Sequence, residues 1–285
     1  MVVYEKAPAK INLGLCVKDK RPDGFHNIVS LFQTVSIYDE LIIDHQSDGG
    51  LSCDMPGVPL DETNLVLRAE RAFCDHFDID TRLHYTLTKQ IPSGAGLGGG
   101  SSDAAAAIRG CAKFHDTGAD YDTLQTIAEN VGSDVPFLIS GGTALVTGRG
   151  ERITPILWPY DFRYVIVYPA IPISTAWAYS HVTKHDGVFT PCEAMFERLL
   201  MGEDVSDDEF CELIVNDFEI PVFDTHPELV KLKSHIEESG ARRAVMSGSG
   251  SAVIGLYDSQ DSADIAAAFL RDSYEDVFTA QPVTF

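Results

Sequence analysis

One run of eleven residues, Pro92-Ser93-Gly94-Ala95-Gly96-Leu97-Gly98-Gly99-Gly100-Ser101-Ser102, holds five glycines. It lies between an alternating segment, His84-Tyr-Thr-Leu-Thr-Lys89, and an alanine-rich one that starts at Asp103. The alternation predicts a strand, and the alanines predict a helix over Asp103–Phe114. Glycines between them let the backbone take positive φ and approach a ligand closely. The free N–H groups of the helix start then face an anion, and the helix dipole helps hold it. Ser101 and Ser102 add hydroxyls suited to a phosphate or to bound Mg²⁺. No Gly-Lys-Ser/Thr follows, so this is not a Walker A loop. Nor is it a dinucleotide fingerprint, because the unit lies deep in the chain and not at an opening βαβ unit. A flexible linker is the plain alternative. Leu97 inside the run and the helix directly after it argue for an ordered phosphate loop.

A phosphate site is demanding in this chain. Its 285 residues have a formal charge of −22 and a pI near 4.6. A field of that sign disfavours nucleic acid or an anionic membrane as partner. It also repels a phosphate ligand, so backbone amides, a helix N-terminus and a few placed cations must reverse it locally. With 45% hydrophobic residues the chain can bury a sizeable core. It has no uncharged apolar stretch of membrane-spanning length. The start, Met1-Val-Val-Tyr-Glu-Lys6, lacks a basic-then-apolar leader pattern, so the cytoplasm is the expected location. The six cysteines form no CxxC and no zinc-finger spacing. They read mostly as small buried apolar residues.

Along the chain, Val2–Lys18 reads as strands broken by a turn, since Pro8 and Gly14 interrupt it. Lys20-Arg-Pro-Asp-Gly24 is a turn, and Leu31–Ile43 reads as one or two strands. Asn64–His76 has helical spacing. Tyr121–Asn130 is a further short helix, and Thr143–Val146 a strand ending at the turn Gly148-Arg-Gly150. A break falls at Ile153–Asp161, with Pro155 and Pro159. Beyond it come a strand at Tyr164–Tyr168 and helices around 175–181, 193–200, 207–215 and 227–239. Two strands, 244–246 and 252–257, and a helix at 262–270 close the chain. The expected class is α+β with two lobes, residues 1–155 and 156–285.

Several polar residues stand in apolar or small-residue surroundings. Lys10 and Asn12 lie inside Ala7-Pro-Ala-Lys-Ile-Asn-Leu13. A lysine there is either on an exposed strand edge or paired with a partner. Asp134 lies between a small-residue turn and the apolar Val135-Pro-Phe-Leu138, as an N-cap or as a catalytic group. Ser247-Gly-Ser-Gly-Ser251 reads on its own as a plain connection between strands. His181 and His185 have i, i+4 spacing but no HExxH glutamate, so they fit a solvated helix face better than a metal site.

These segments, in this order, resemble the GHMP kinases: galactokinase, homoserine kinase, mevalonate kinase and phosphomevalonate kinase. The matching segments are residues 7–15, 20–26, 91–103, 132–137, 141–151, 216–219 and 246–251, and the resemblance extends over nearly the whole chain. The resemblance implies a lobe like ribosomal protein S5 domain 2, a ferredoxin-like second lobe, and a substrate cleft between them. It implies an ATP-dependent phosphotransferase with an alcohol acceptor, acting as monomer or homodimer, with ATP and Mg²⁺ as cofactors and the metal's ligands unassigned. Lys10 and Asp134 become the catalytic pair, each the partner that the other lacks. Pro92–Ser102 becomes the ATP loop. The Arg21-Pro-Asp-Gly-Phe-His26 segment is similar to the branch acting on a cytidyl-diphosphate sugar alcohol of non-mevalonate isoprenoid biosynthesis. On that likeness Asn12 lies near the substrate hydroxyl, His26 bonds the cytosine, and Phe25 and Tyr179 sandwich it. Phe25 stands where that branch usually has Tyr, and Tyr179 where Phe is common. A homoserine- or mevalonate-type kinase, or a nucleotide sensor without turnover, are the alternatives.

Overall fold

The computed structural model describes residues 1–45, 49–182 and 190–284. The first unit runs β1 (Val3–Lys20), β2 (His26–Asp44), β3 (Gly50–Cys53), α1 (Leu65–Phe77), β4 (His84–Thr88), α2 (Gly99–Phe114), α3 (Tyr121–Glu129), α4 (Val135–Ser140), β5 (Thr143–Gly148) and β6 (Arg152–Pro155). The second runs β7 (Arg163–Tyr168), α5 (Thr175–His181), α6 (Pro191–Leu200), α7 (Asp207–Leu213), α8 (Glu219–Thr225), α9 (Pro227–Glu238), β8 (Arg243–Met246), β9 (Val253–Tyr257), α10 (Gln260–Arg271) and β10 (Asp276–Ala280). None of these helices is long and apolar enough to cross a membrane.

The first sheet has the order β3-β4-β2-β5-β6, with β1 along the other edge of β2. The second sheet has the order β10-β7-β9-β8 and is antiparallel throughout. A β-α-β-β-α-β chain with that order is the ferredoxin-like arrangement expected of this lobe. The chain end crosses back: Val283 N–H donates to Thr34 O (3.0 Å), and Gln281 O accepts from Ser36 N–H (3.0 Å). The C-terminal residues therefore close on the first unit.

β1 is the spine that joins the two units. The sequence predicts a break near Pro8 and Gly14, but the strand continues through both. Its pairing with β2 shifts register between Pro8 and Ala9 and between Asn12 and Leu15. Bulges of this kind take up a residue that the ladder rejects and let the strand go on. The outer edge of β1 is paired as well. Lys10 N–H donates to Leu97 O (2.9 Å), and Leu15 N–H donates to Val215 O (2.7 Å). The phosphate loop and the second unit thus attach to one strand, and residues 7–17 are almost wholly buried. Successive side chains alternate between faces. Ala9, Ile11 and Leu13 enter a core shared with Phe162, Tyr164 and Phe196 of the second unit. Lys10 and Asn12 point the other way.

α2 starts at Gly99, four residues before the predicted start, so Gly99–Ser102 form its first turn. α4 lies where the sequence shows only an apolar run. Its six residues are too few to display helical periodicity.

A buried ion cluster braces the entry to the phosphate loop. Lys89 Nζ is hydrogen-bonded to Asp39 and lies 2.7 Å from Asp103 Oδ2. Asp39 also accepts from the amides of Gln90 (2.6 Å) and Ile91 (2.8 Å). Burial, reinforced by Asp39 beside it, pushes the Asp103 carboxyl well above the usual carboxylate range against the pull of Lys89. The cluster ties β2, the end of β4 and the second turn of α2 together.

Candidate active site

A cavity of ≈ 720 Å³ lies between the units. It is lined from the first unit by Lys10, Asn12, Phe25, His26, Gly96, Gly98 and Asp134, and from the second by Tyr179, Phe218 and Gly248, among others.

Lys10 is buried, which excludes the surface-lysine reading. Its Nζ donates to Asn12 Oδ1 (2.8 Å), lies 3.5 Å from Asp134 Oδ2 and sits over the Phe32 ring at 4.6 Å. Asn12 is fixed in turn. Its Nδ2 donates to Ser30 Oγ (3.0 Å), and its backbone N–H donates to Ser247 Oγ (3.2 Å). Asp134 stands at the N-cap position of α4, as one reading of the sequence expects, yet its side chain makes no capping bond. The carboxylate is instead aimed at Lys10 with its side chain 31% exposed, so an incoming group can reach it.

The glycine-rich run is ordered, and this excludes the linker reading. Ala252 N–H donates to Ala95 O (3.1 Å), Ser247 Oγ donates to Gly96 O (3.0 Å), and Leu97 is in the core. At Gly96 an added Cβ would lie 2.2 Å from Ser247 O, so only glycine fits this backbone crossing. Helix α2 begins after Gly98 without a side-chain cap, which leaves its first amides for another acceptor. Within Pro92–Ser102 the residues divide by exposure. Ser93, Gly94 and Gly100 are exposed; Pro92, Gly96, Gly98, Gly99 and Ser101 are half-buried. Ala95, Leu97 and Ser102 are buried. Ser102 departs from expectation. Its hydroxyl donates to Pro8 O (2.7 Å) and pins α2 to β1, so Ser101 is the hydroxyl left on the accessible face.

At the other end of the cavity, the His26 and Tyr179 rings stack with centroids 5.3 Å apart and planes 9° apart. Phe218 meets Tyr179 edge-on at 4.8 Å. Burial pushes the Tyr179 hydroxyl up to about 12, with a further push from Asp134. Phe25 is 54% exposed and offers an open ring face to the same cavity. The Ser247–Ser251 segment, a plain connection by sequence, is part of this site. Asn216 Nδ2 donates to Met246 O (2.7 Å) and Gly248 O (2.8 Å), and this holds the segment against Asn12 and Gly96. Its sequence signal was the family likeness of residues 246–251, since the Ser-Gly pattern alone reads as a plain connection. Lys20 and Arg149 also line the cavity, from segments that the sequence marks only as turns. His181 lies outside the cavity lining, stacked on Trp177 at 4.4 Å, and its sequence partner His185 lies outside the described residues.

Among the described residues no group of three His, Cys, Asp or Glu side chains is placed to cage a metal. Mg²⁺ often relies on one carboxylate, phosphate oxygens and water. A cavity whose one carboxylate among the described residues is Asp134, beside open helix amides, fits an ion that arrives with phosphates.

The model of the GHMP kinases N terminal domain matches residues 64–142, and that of the GHMP kinases C terminal region matches residues 205–276. A Prosthecochloris aestuarii protein named 4-diphosphocytidyl-2-C-methyl-D-erythritol kinase is 38% identical, covering 98% of this chain and 97% of that one. A Bacillus subtilis protein of the same name is 35% identical, covering 99% and 98%. A crystal structure of 4-(cytidine 5'-diphospho)-2C-methyl-D-erythritol kinase matches with a TM-score of 0.81 at 33% identity, covering 98% of this chain and 99% of that one.

Proposed function

This chain belongs to the GHMP kinase family, and from that membership we propose that it is a 4-diphosphocytidyl-2-C-methyl-D-erythritol kinase. It moves the γ-phosphoryl group of ATP to the 2-hydroxyl of that substrate, as a cytoplasmic enzyme of isoprenoid precursor synthesis. One observation carries the reading. The Lys10–Asp134 pair and the Phe25, His26 and Tyr179 rings share one cavity, beside the glycine loop.

Phosphoryl transfer needs alignment and charge neutralisation more than covalent help. Asp134 takes the proton of the acceptor hydroxyl, which Asn12 helps to place. Lys10 faces both Asp134 and the transferred group, and offsets charge that develops there. The amides of Gly94–Ser101 hold the β- and γ-phosphates. A Mg²⁺ ion arriving with the phosphates would find the Ser101 hydroxyl on the loop, and it would supply neutralisation of phosphate charge. At the far end His26 bonds the cytosine, and Phe25 and Tyr179 flank it. Residues 1–155 form the ATP-binding lobe, and 156–285 complete the cleft.

The rings provide the test of the substrate. Stacking one base on one aromatic ring contributes about 1–3 kcal/mol. Phe25 is exposed, so Phe25→Leu removes the ring without opening the core. The KM for the cytidyl substrate is expected to rise roughly ten- to a hundredfold, at about 1.4 kcal/mol per factor of ten. The KM for ATP stays put. An unchanged KM for the cytidyl substrate removes Phe25 from the base site.

A further inference from the structure

The cavity reverses the sign of the chain. In a molecule of net charge −22, its lining among the described residues holds Lys10, Lys20 and Arg149 against the single carboxylate of Asp134. Lys10 is committed to Asn12 and Asp134. The other two cations have no such commitment in the proposed chemistry.

We propose that Arg149, with Lys20 in the same cavity lining, forms the subsite for the diphosphate of the cytidyl substrate. This rests on the function proposed above and adds the part of the site that reads the charged middle of the molecule.

Position is the first argument. Arg149 lies in the turn between β5 and β6, and its guanidinium carbon stands 5.3 Å from the Phe25 ring centroid. The next residue, Gly150, abuts the other end of the cavity, since a Cβ there would lie 3.6 Å from Ser133 Cβ and 4.0 Å from Asp134 Oδ1. Arg149 thus spans the interval between the ring that flanks the base and the carboxylate that meets the hydroxyl. A substrate with its cytosine at Phe25 and its reacting hydroxyl at Asp134 must lead its diphosphate past this side chain. Lys20 closes β1 on the same side, and its strand partner is His26.

Availability is the second argument. The nearby Asp23 carboxylate is already engaged: Arg21 Nε holds it at 3.0 Å and the Phe25 amide donates to it at 3.1 Å. Glu151 accepts from the backbone amide of Arg149. The guanidinium is left resting on an aromatic face. That contact orients it without using its N–H donors, and a planar fork of donors suits a bidentate bond to phosphate.

ATP is the other source of phosphate in this cleft, so the test must separate the two. Binding of cytidine and of CDP is measured by calorimetry on the wild type, Arg149→Met and Arg149→Lys, with the KM for ATP measured alongside. Methionine keeps an apolar stem over Phe25 and drops the charge. The wild type is expected to bind CDP about ten- to a hundredfold more tightly than cytidine, the range of charge-assisted bonds. Arg149→Met brings CDP close to the cytidine level, while cytidine affinity and the KM for ATP are unchanged. Arg149→Lys recovers part of the difference. A methionine variant that still prefers CDP overturns the subsite, as does one that weakens ATP instead. A wild type that binds CDP no better than cytidine overturns the subsite and leaves the cytosine reading standing. A wild type that binds neither removes the function beneath it, and the subsite falls with it.

Discussion

Asp134→Asn is expected to lower kcat by about 10²–10⁴-fold, the usual cost of losing a general base. The KM for ATP should change little. Asparagine keeps the shape of the side chain but cannot accept the proton. The substitution is clean for structural reasons. Asp134 makes no capping bond, so α4 loses nothing by it, and the side chain is partly exposed. Lys10 stays anchored by Asn12 and by the Phe32 ring face, so the ammonium does not wander when the carboxylate is gone. Steady-state kcat is the readout, with a thermal melt to show that the fold persists. Turnover near the wild-type level would remove Asp134 from the chemistry and leave Lys10 without a catalytic partner.

Gly98→Val is expected to disable the enzyme in two ways at once. Gly98 has φ +69°, and a Cβ there would lie 2.7 Å from Lys10 Cγ. A β-branched residue at positive φ costs about 1–3 kcal/mol of backbone strain. The loop must shift, and so must the stem of Lys10. Gly98 is also the N-cap of α2, the point from which the open amides face a phosphate. ATP affinity and kcat should therefore fall together, each by at least tenfold, since about 1.4 kcal/mol is a factor of ten. A variant of the adjacent loop that disturbed only nucleotide binding would spare kcat. ATP titration and single-turnover rates separate the two effects. A folded valine variant with wild-type ATP affinity would show that the amides after Gly98 do not hold phosphate.

The phosphate loop was the most legible part of this chain, because glycine spacing before a helix has few other uses. Lys10 and Asp134 were visible singly, as charges in apolar surroundings, but nothing local tells that they meet. Only likeness to a family pairs them beforehand, and the fold brings Lys10 Nζ of β1 to 3.5 Å from Asp134 Oδ2 at the start of α4. The brace of Asp39, Lys89 and Asp103 was not legible at all. Its three members lie in three elements, and each alone looks like an ordinary surface charge. Arg149 was hidden for a related reason, since Gly148-Arg-Gly150 has the signature of a turn whatever its side chain does. The long β1 was missed because Pro8 and Gly14 usually end strands, and a bulge is a tertiary solution to a local conflict. The same holds for Ser247, whose role depends on Asn216 holding its loop against β1.

The most direct measurement is ADP release with three acceptors offered separately: 4-diphosphocytidyl-2-C-methyl-D-erythritol, homoserine and mevalonate. The cavity that joins the Lys10–Asp134 pair to the Phe25, His26 and Tyr179 rings predicts ATP turnover with the cytidyl acceptor and only background with the other two. Turnover with homoserine or mevalonate at a comparable rate would contradict the substrate. No ADP release with any of the three, from protein shown to bind ATP, would contradict the kinase itself.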